Sequence, residues 1–193
     1  MELKDAIYGR RSIRKYKDTP ISEEDIREIV EAGTMAPSGT NIQPWYYVAI
    51  ASSETLEELK VISGKGASNF ECILLERFKD HPEVIKPTTS FVASLGNAPL
   101  VVLCFLRPAK IESGRDTMIQ AVAAGIQNMC LTAYSKGIGS CWLTALIRGG
   151  VAEEIRERFA PGRGELLATV TFGYPDIEPK APKRKDDRME FIL

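Results

Sequence analysis

Apolar positions recur along this chain at helical and strand spacings that alternate from end to end. Leu3 and Ile7 stand four apart, as on one face of a short helix, and Gly9 can end it. Ser22 then opens ISEEDIREIVEAG, where Glu23, Glu24 and Asp25 fill a first turn that the helix dipole favours. Ile26, Ile29 and Val30 form its apolar face, and Gly33 reads as its terminator. Trp45–Ile50, aromatic and β-branched, reads as a strand. Ser52 or Ser53 can cap a further helix carrying Leu56, Leu59 and Ile62.

Region 64–91 is the least regular. Phe70, Ile73, Leu74 and Phe78 suggest a helix, followed by a polar loop at 79–86. Residues 99–106, PLVVLCFL, form a continuous apolar run, as expected of a central strand buried on both faces. The longest helix is expected over about 116–136, with Ile119, Val122, Ile126, Met129, Cys130 and Ala133 in helical register and small residues around the rest. Such a helix belongs at a domain centre or a subunit interface. Gly137 ends it. A strand at 139–143, a helix at 151–159 and a strand at 166–172 follow, and from about 174 the chain is polar, proline-rich and extended. The interleaving gives an α/β or α+β class in one domain, 1–193.

Length and composition narrow the function. A chain of 193 residues can bury roughly 70% of its unfolded surface. With 25 basic and 26 acidic side chains, net charge is -1, which argues against a nucleic-acid binder. The cysteines, Cys72, Cys104, Cys130 and Cys141, form no CxxC pair, and His81 is the only histidine, so no structural zinc or iron–sulfur site is expected. Cys104 and Cys130 read as buried thiols. The N-terminal MELKDAIYGRRS has no apolar leader core and no window approaches a membrane span, so a cytoplasmic protein is expected.

Against this neutral background the segment Arg10-Arg11-Ser12-Ile13-Arg14-Lys15-Tyr16 stands out. Arginine forks and a serine hydroxyl suit a phosphate monoester, and no basic stripe follows that would suit a long polyanion. In an extended segment Arg10, Ser12 and Arg14 share one side, with Arg11 and Ile13 facing elsewhere. The run PSGTNIQPW, 37–45, combines backbone-bending Pro37, Gly39 and Pro44 with uncharged hydrogen-bonding Ser38, Thr40, Asn41 and Gln43. GIGSCW at 137–142 follows a helix rather than a strand, so its GxG is poor evidence for a dinucleotide-binding turn, and Trp142 is expected in the core. Lys183-Arg184-Lys185 is a second basic cluster.

In order and spacing these four segments resemble the nitroreductase family of FMN-dependent oxidoreductases. The resemblance implies an α+β fold, a mixed sheet flanked by helices, in an intertwined homodimer with two FMN at the interface. It implies that Arg10, Arg11, Ser12 and Arg14 hold the flavin phosphate and ring, and that Pro37, Ser38, Gly39, Asn41 and Gln43 wrap the flavin across the interface. By the same resemblance Leu143, Thr144 and Ala145 lie near flavin N5. Lys183 and Lys185 return to the phosphate, with Arg184 as the substitute if the register slips. The implied cycle is ping-pong, from NADH or NADPH to a small oxidant such as a nitroaromatic or quinone, with Arg14 stabilising the reduced flavin electrostatically and no side chain acting as acid or nucleophile. Within the same fold flavin fragmentation, dehalogenation and dehydrogenation stay open, as does flavin binding without turnover. Region 64–95 matches no motif of the family, and a lid over the site at 79–86 rests on analogy alone.

Overall fold

The structure, a computed structural model, describes residues 1–108 and 114–193. Four strands, β1 (Trp45–Ile50), β2 (Leu100–Leu106), β3 (Gly139–Leu143) and β4 (Glu165–Gly173), form one sheet in the order β1-β2-β4-β3. The named strands all pair antiparallel, and the parallel component is the bridge between Ser12 and Ser140 at the open edge of β3.

Seven helices flank the sheet among the described residues: α1 (Leu3–Gly9), α2 (Glu23–Thr34), α3 (Ser53–Arg77), α4 (Ile85–Ser94), α5 (Arg115–Ser135), α6 (Ala145–Arg148) and α7 (Ala152–Phe159). β2 explains the layering. Val101, Leu103 and Phe105 point into a core shared with α3, α4, α6 and α7. Leu100, Val102, Cys104 and Leu106 point into a second core with α2 and α5. The whole strand is buried, as its unbroken apolar run requires.

Three expectations are corrected. Gly33 does not end α2, which runs on to Thr34; it lies in the last turn, packed against Met129 and Tyr47. The longest helix is α3, 25 residues, not α5 with 21. It continues through Gly64 and Gly66 because Leu59, Ile62, Phe70 and Leu74 keep one buried face. Region 79–86 is not all loop: a short 3₁₀ turn, Pro82–Val84, leads directly into α4 at Ile85. Among the described residues no helix is long and apolar enough to cross a membrane.

Candidate functional site

The basic segment leaves α1 at Arg10 and lies along the edge of β3. The Ile13 amide donates to the Ser140 carbonyl at 2.9 Å. The parallel bridge sends the chain from Ser12 toward Arg14 in the direction β3 takes from Ser140 toward Leu143. Tyr16 fastens the far end: its buried hydroxyl donates to the Ile13 carbonyl at 2.6 Å and pairs with the Thr171 hydroxyl at 2.8 Å. Burial drives that phenol far above its usual range. The segment after β4 covers it, with the Lys17 amide donating to Tyr174, the Asp176 amide to Lys15, and a Lys15–Asp176 ion pair at 2.9 Å.

A cleft of about 810 Å³ opens where these pieces meet, within the size range of small-molecule sites. Arg10, Arg11, Lys17, Tyr134, Ser140 and 175–179 contribute to its walls. Ser140 is 1% exposed, and its hydroxyl has no hydrogen-bond partner. A buried hydroxyl without a partner is costly unless a ligand or water completes it.

The cations are not divided as strict alternation predicts, with Arg10 and Arg14 together and Arg11 apart. Arg10 and Arg11 line the cleft, and Arg11 turns its guanidinium onto the Tyr8 and Arg10 carbonyls at 2.7 and 2.8 Å. Arg14 lies instead over the Phe91 ring of α4, 5.9 Å from its centre. Cys141 sits between the two cations. Burial raises its thiol pKa, while Arg14 and Arg10 pull it back. Burial raises Cys130 too. Four residues of extended chain separate Arg10 from Arg14 by roughly 13 Å. A compact anion cannot meet both, whereas an elongated ligand with an anionic end and a polar flat end can.

The other candidate residues fall into three places. Leu143 and Ala145 are buried in the first core, so only their backbone could face a ligand, while Thr144 is exposed between them. Trp142 is 41% exposed on the edge strand, which corrects its expected place in the core. Lys183, Arg184 and Lys185 lie on the exposed tail, and none of them lines the cleft. Pro179 lines the cleft, so Lys183 is within roughly 13 Å of it along the chain.

Pro37, Gly39, Asn41 and Gln43 are exposed and Ser38 is half-buried. Thr40, Asn41 and Gln43 have φ of 50, 55 and 47°, a left-handed conformation that asparagine tolerates and that is costly for threonine and glutamine. Ser38 Oγ accepts from the Gln43 amide at 3.1 Å, and Asn41 Oδ1 from Gln43 Nε2 at 3.1 Å, which hold the loop. The loop enters β1 at Trp45, opposite Leu106. Ser12 lies beyond β3, level with Phe172 and Leu100. The two segments are thus at diagonally opposite corners of the sheet, about 19 Å apart across the strands and about 20 Å along them. Within one chain they cannot close on one small molecule.

Among the described residues, the cleft lining is cationic and polar rather than nucleophilic. The buried thiols are held protonated, and His81 is exposed beside Glu83 at 3.3 Å, outside the cleft. Ser140, Lys17, Tyr134 and Phe91 were not legible as site residues. Ser140 stood inside GIGSCW, but its neighbour Ser12 is 128 positions away and only the bridge joins them.

A family model described as "Nitroreductase family" matches residues 7–174. A Bacillus subtilis (strain 168) protein named as an NAD(P)H nitroreductase, YfhC, is 31% identical over 196 residues, covering 98% of this chain and 92% of its own. A solved BluB-like flavoprotein from Clostridium difficile 630 is 30% identical with a TM-score of 0.77, all of both chains covered. A solved nitroreductase in complex with FMN from Desulfovibrio desulfuricans is 25% identical with a TM-score of 0.75, covering 100% of this chain and 99% of its own.

Proposed function

The chain belongs to the nitroreductase family, and from that premise we propose that it is an FMN-dependent oxidoreductase that takes hydride from NADH or NADPH and reduces small oxidants such as nitroaromatics and quinones. The carrying observation is the track from Arg10 past Ser12 and the partnerless Ser140 hydroxyl to Arg14, whose length and two charged ends fit a phosphate-tailed flavin. FMN, when bound, supplies the two-electron carrier that nicotinamide and oxidant use in turn.

The protein's work is then to bind, orient and polarise. Arg10, with Arg11 and Ser12, neutralises the phosphate, and Lys183 and Lys185 on the tail swing in to complete that cage. Arg14 presents a cation to the end where negative charge develops on reduction, an electrostatic role that needs no proton transfer. The Leu143 to Ala145 backbone offers fixed dipoles beside the ring, and Thr144 adds the exposed hydroxyl.

Pro37, Ser38, Gly39, Asn41 and Gln43 come from a second copy. The diagonal separation of this loop from Ser12 supports a homodimer in which each flavin is shared. Four free cysteines fit a reducing compartment, the cytoplasm.

A visible spectrum of the purified protein, repeated anaerobically with NADH and then NADPH, tests this reading. A flavin band that bleaches supports it and names the donor. A band that neither donor bleaches favours flavin binding without nicotinamide chemistry, and no band after FMN is added overturns it.

A further inference from the structure

Arg14 is exposed, and a long flexible side chain left to solvent would be a poor electrostatic partner for any cofactor. Two features of the structure restrain it, one inside the region that carries no family motif and one at its C-terminal boundary. Phe91 of α4 is 7% exposed, packed into the first core, and the Arg14 guanidinium covers its ring at 5.9 Å. Behind it, the connection from α4 to β2 makes three consecutive left-handed turns: Leu95 at φ 52°, Gly96 at 65° and Asn97 at 51°. Two of these are not glycine, and backbone strain of this kind persists only where the surroundings over-determine it. Gly96 packs against the Phe91 ring and the Arg14 backbone together. A Cβ at Gly96 would lie 3.0 Å from the Arg14 carbonyl oxygen and 2.8 Å from the Phe91 ring.

We propose that Phe91 and the turn at Leu95–Asn97 are positioning elements for Arg14, so that α4 sets the electrostatics of the flavin site through this one cation. The proposal rests on the reading of Arg14 as the flavin's cation. The turn fixes the Arg14 backbone and the ring face fixes the guanidinium. The ring does so without a competing negative charge, so the cation is held yet not neutralised. A carboxylate at position 91 would hold Arg14 more tightly but cancel the charge it offers.

The test compares flavin midpoint potentials of wild type, R14A, F91L, F91Y and the double variant R14A/F91L. It also follows the Arg14 Nε–H resonance in flavin-free protein, where a ring current from Phe91 moves it upfield. R14A is expected to lower the potential. F91L is expected to lower it in the same direction by a smaller amount, F91Y to match wild type, and the double variant to match R14A, because the ring acts only through the guanidinium. The Nε–H resonance is expected to move downfield in F91L and hold in F91Y. If R14A leaves the potential unchanged, the parent reading of Arg14 fails. If R14A lowers it but F91L does not, or if F91L lowers it equally with Arg14 absent, the positioning role alone is overturned. A variant that does not retain the wild-type melting transition is replaced by F91M, which also lacks the ring and keeps the volume.

Discussion

Gly125 meets Gly33 where α5 crosses α2: a Cβ on Gly125 would stand 2.5 Å from the Gly33 carbonyl oxygen and 2.2 Å from the Tyr47 hydroxyl. That hydroxyl in turn reaches the same carbonyl at 3.4 Å. Two helix backbones and a strand tyrosine thus share one point with no room for a methyl group. Gly125→Ala has to push α2 off α5, and overpacking of this kind costs about 2–3 kcal/mol. Urea unfolding is expected to give a lower midpoint at an unchanged slope. Tyr47→Phe, which frees space only at the hydroxyl, is expected to cost less.

The same two helices are tied at their other end by charge. Lys136, the cap residue of α5, donates to Asp25 at 2.9 Å and to Glu28 at 2.5 Å, and Ser22 donates to Asp25 at 2.7 Å. The Ser22 hydrogen bond and then Lys136 hold the Asp25 carboxyl below its ordinary value. Glu28 and Asp25 raise the Lys136 ammonium. A carboxyl with a depressed folded-state pKa stabilises above its unfolded value, near pH 4, and loses that contribution as pH falls through the folded value. The lysine contribution lasts from about pH 4, below which its carboxylate partners are protonated, to about pH 10, and is lost as pH rises through the raised folded-state value. Asp25→Asn is therefore expected to lower the melting temperature near pH 7, with the gap to wild type closing as pH drops below about 4. Added salt should narrow it as well. A gap independent of pH would assign the loss to the N-terminal cap instead.

How much of this was legible follows from what each residue answers to. β2 announced itself because a strand buried on both faces must be apolar at every position. α2 did so through Ser22 and its acidic first turn. Gly33 misled because a glycine near a helix end reads as a stop, while here a Cβ would stand 3.0 Å from both Tyr47 and Met129, 96 positions on. Trp142 misled because apolar character says nothing of lying on the outermost strand of the sheet, where it stays exposed. The basic segment was visible as composition. Its division, with Arg10 at the cleft and Arg14 over Phe91, depends on a bridge to Ser140 and on a helix in the stretch where no periodicity stands out.

Arg10 is the cation whose loss should be felt as cofactor affinity. A charge-assisted hydrogen bond contributes about 1.5–3 kcal/mol, so Arg10→Ala is expected to weaken FMN binding by roughly 10- to 150-fold. The tail lysines start exposed and must be ordered on binding, so Lys183→Ala with Lys185→Ala should cost less, about tenfold together. Fluorescence titration of flavin-free protein with FMN and with riboflavin separates the contributions. Both sets of variants should lose affinity for FMN and leave riboflavin nearly unaffected. Equal losses for the two ligands would mean that these residues do not meet the phosphate.

The diagonal placement of Ser12 and the loop at 37–43 makes the sharpest demand on assembly. If each flavin takes its basic track from one chain and its loop from the partner, two defective chains can rebuild one good site. Arg10→Ala with Arg14→Ala spoils the track; Ser38→Ala with Asn41→Ala spoils the loop. In a mixed dimer of the two, one site carries both defects and the other carries none. Co-expressed with different affinity tags and purified through both, such dimers are expected to bind about one FMN per two chains at wild-type affinity, although each parent homodimer binds weakly. Were the site built within one chain, every site in the mixed dimer would keep one defect, and no wild-type affinity would return. Tight binding at half occupancy is therefore an outcome that only a shared site produces, and titration of the doubly purified dimer reads it directly.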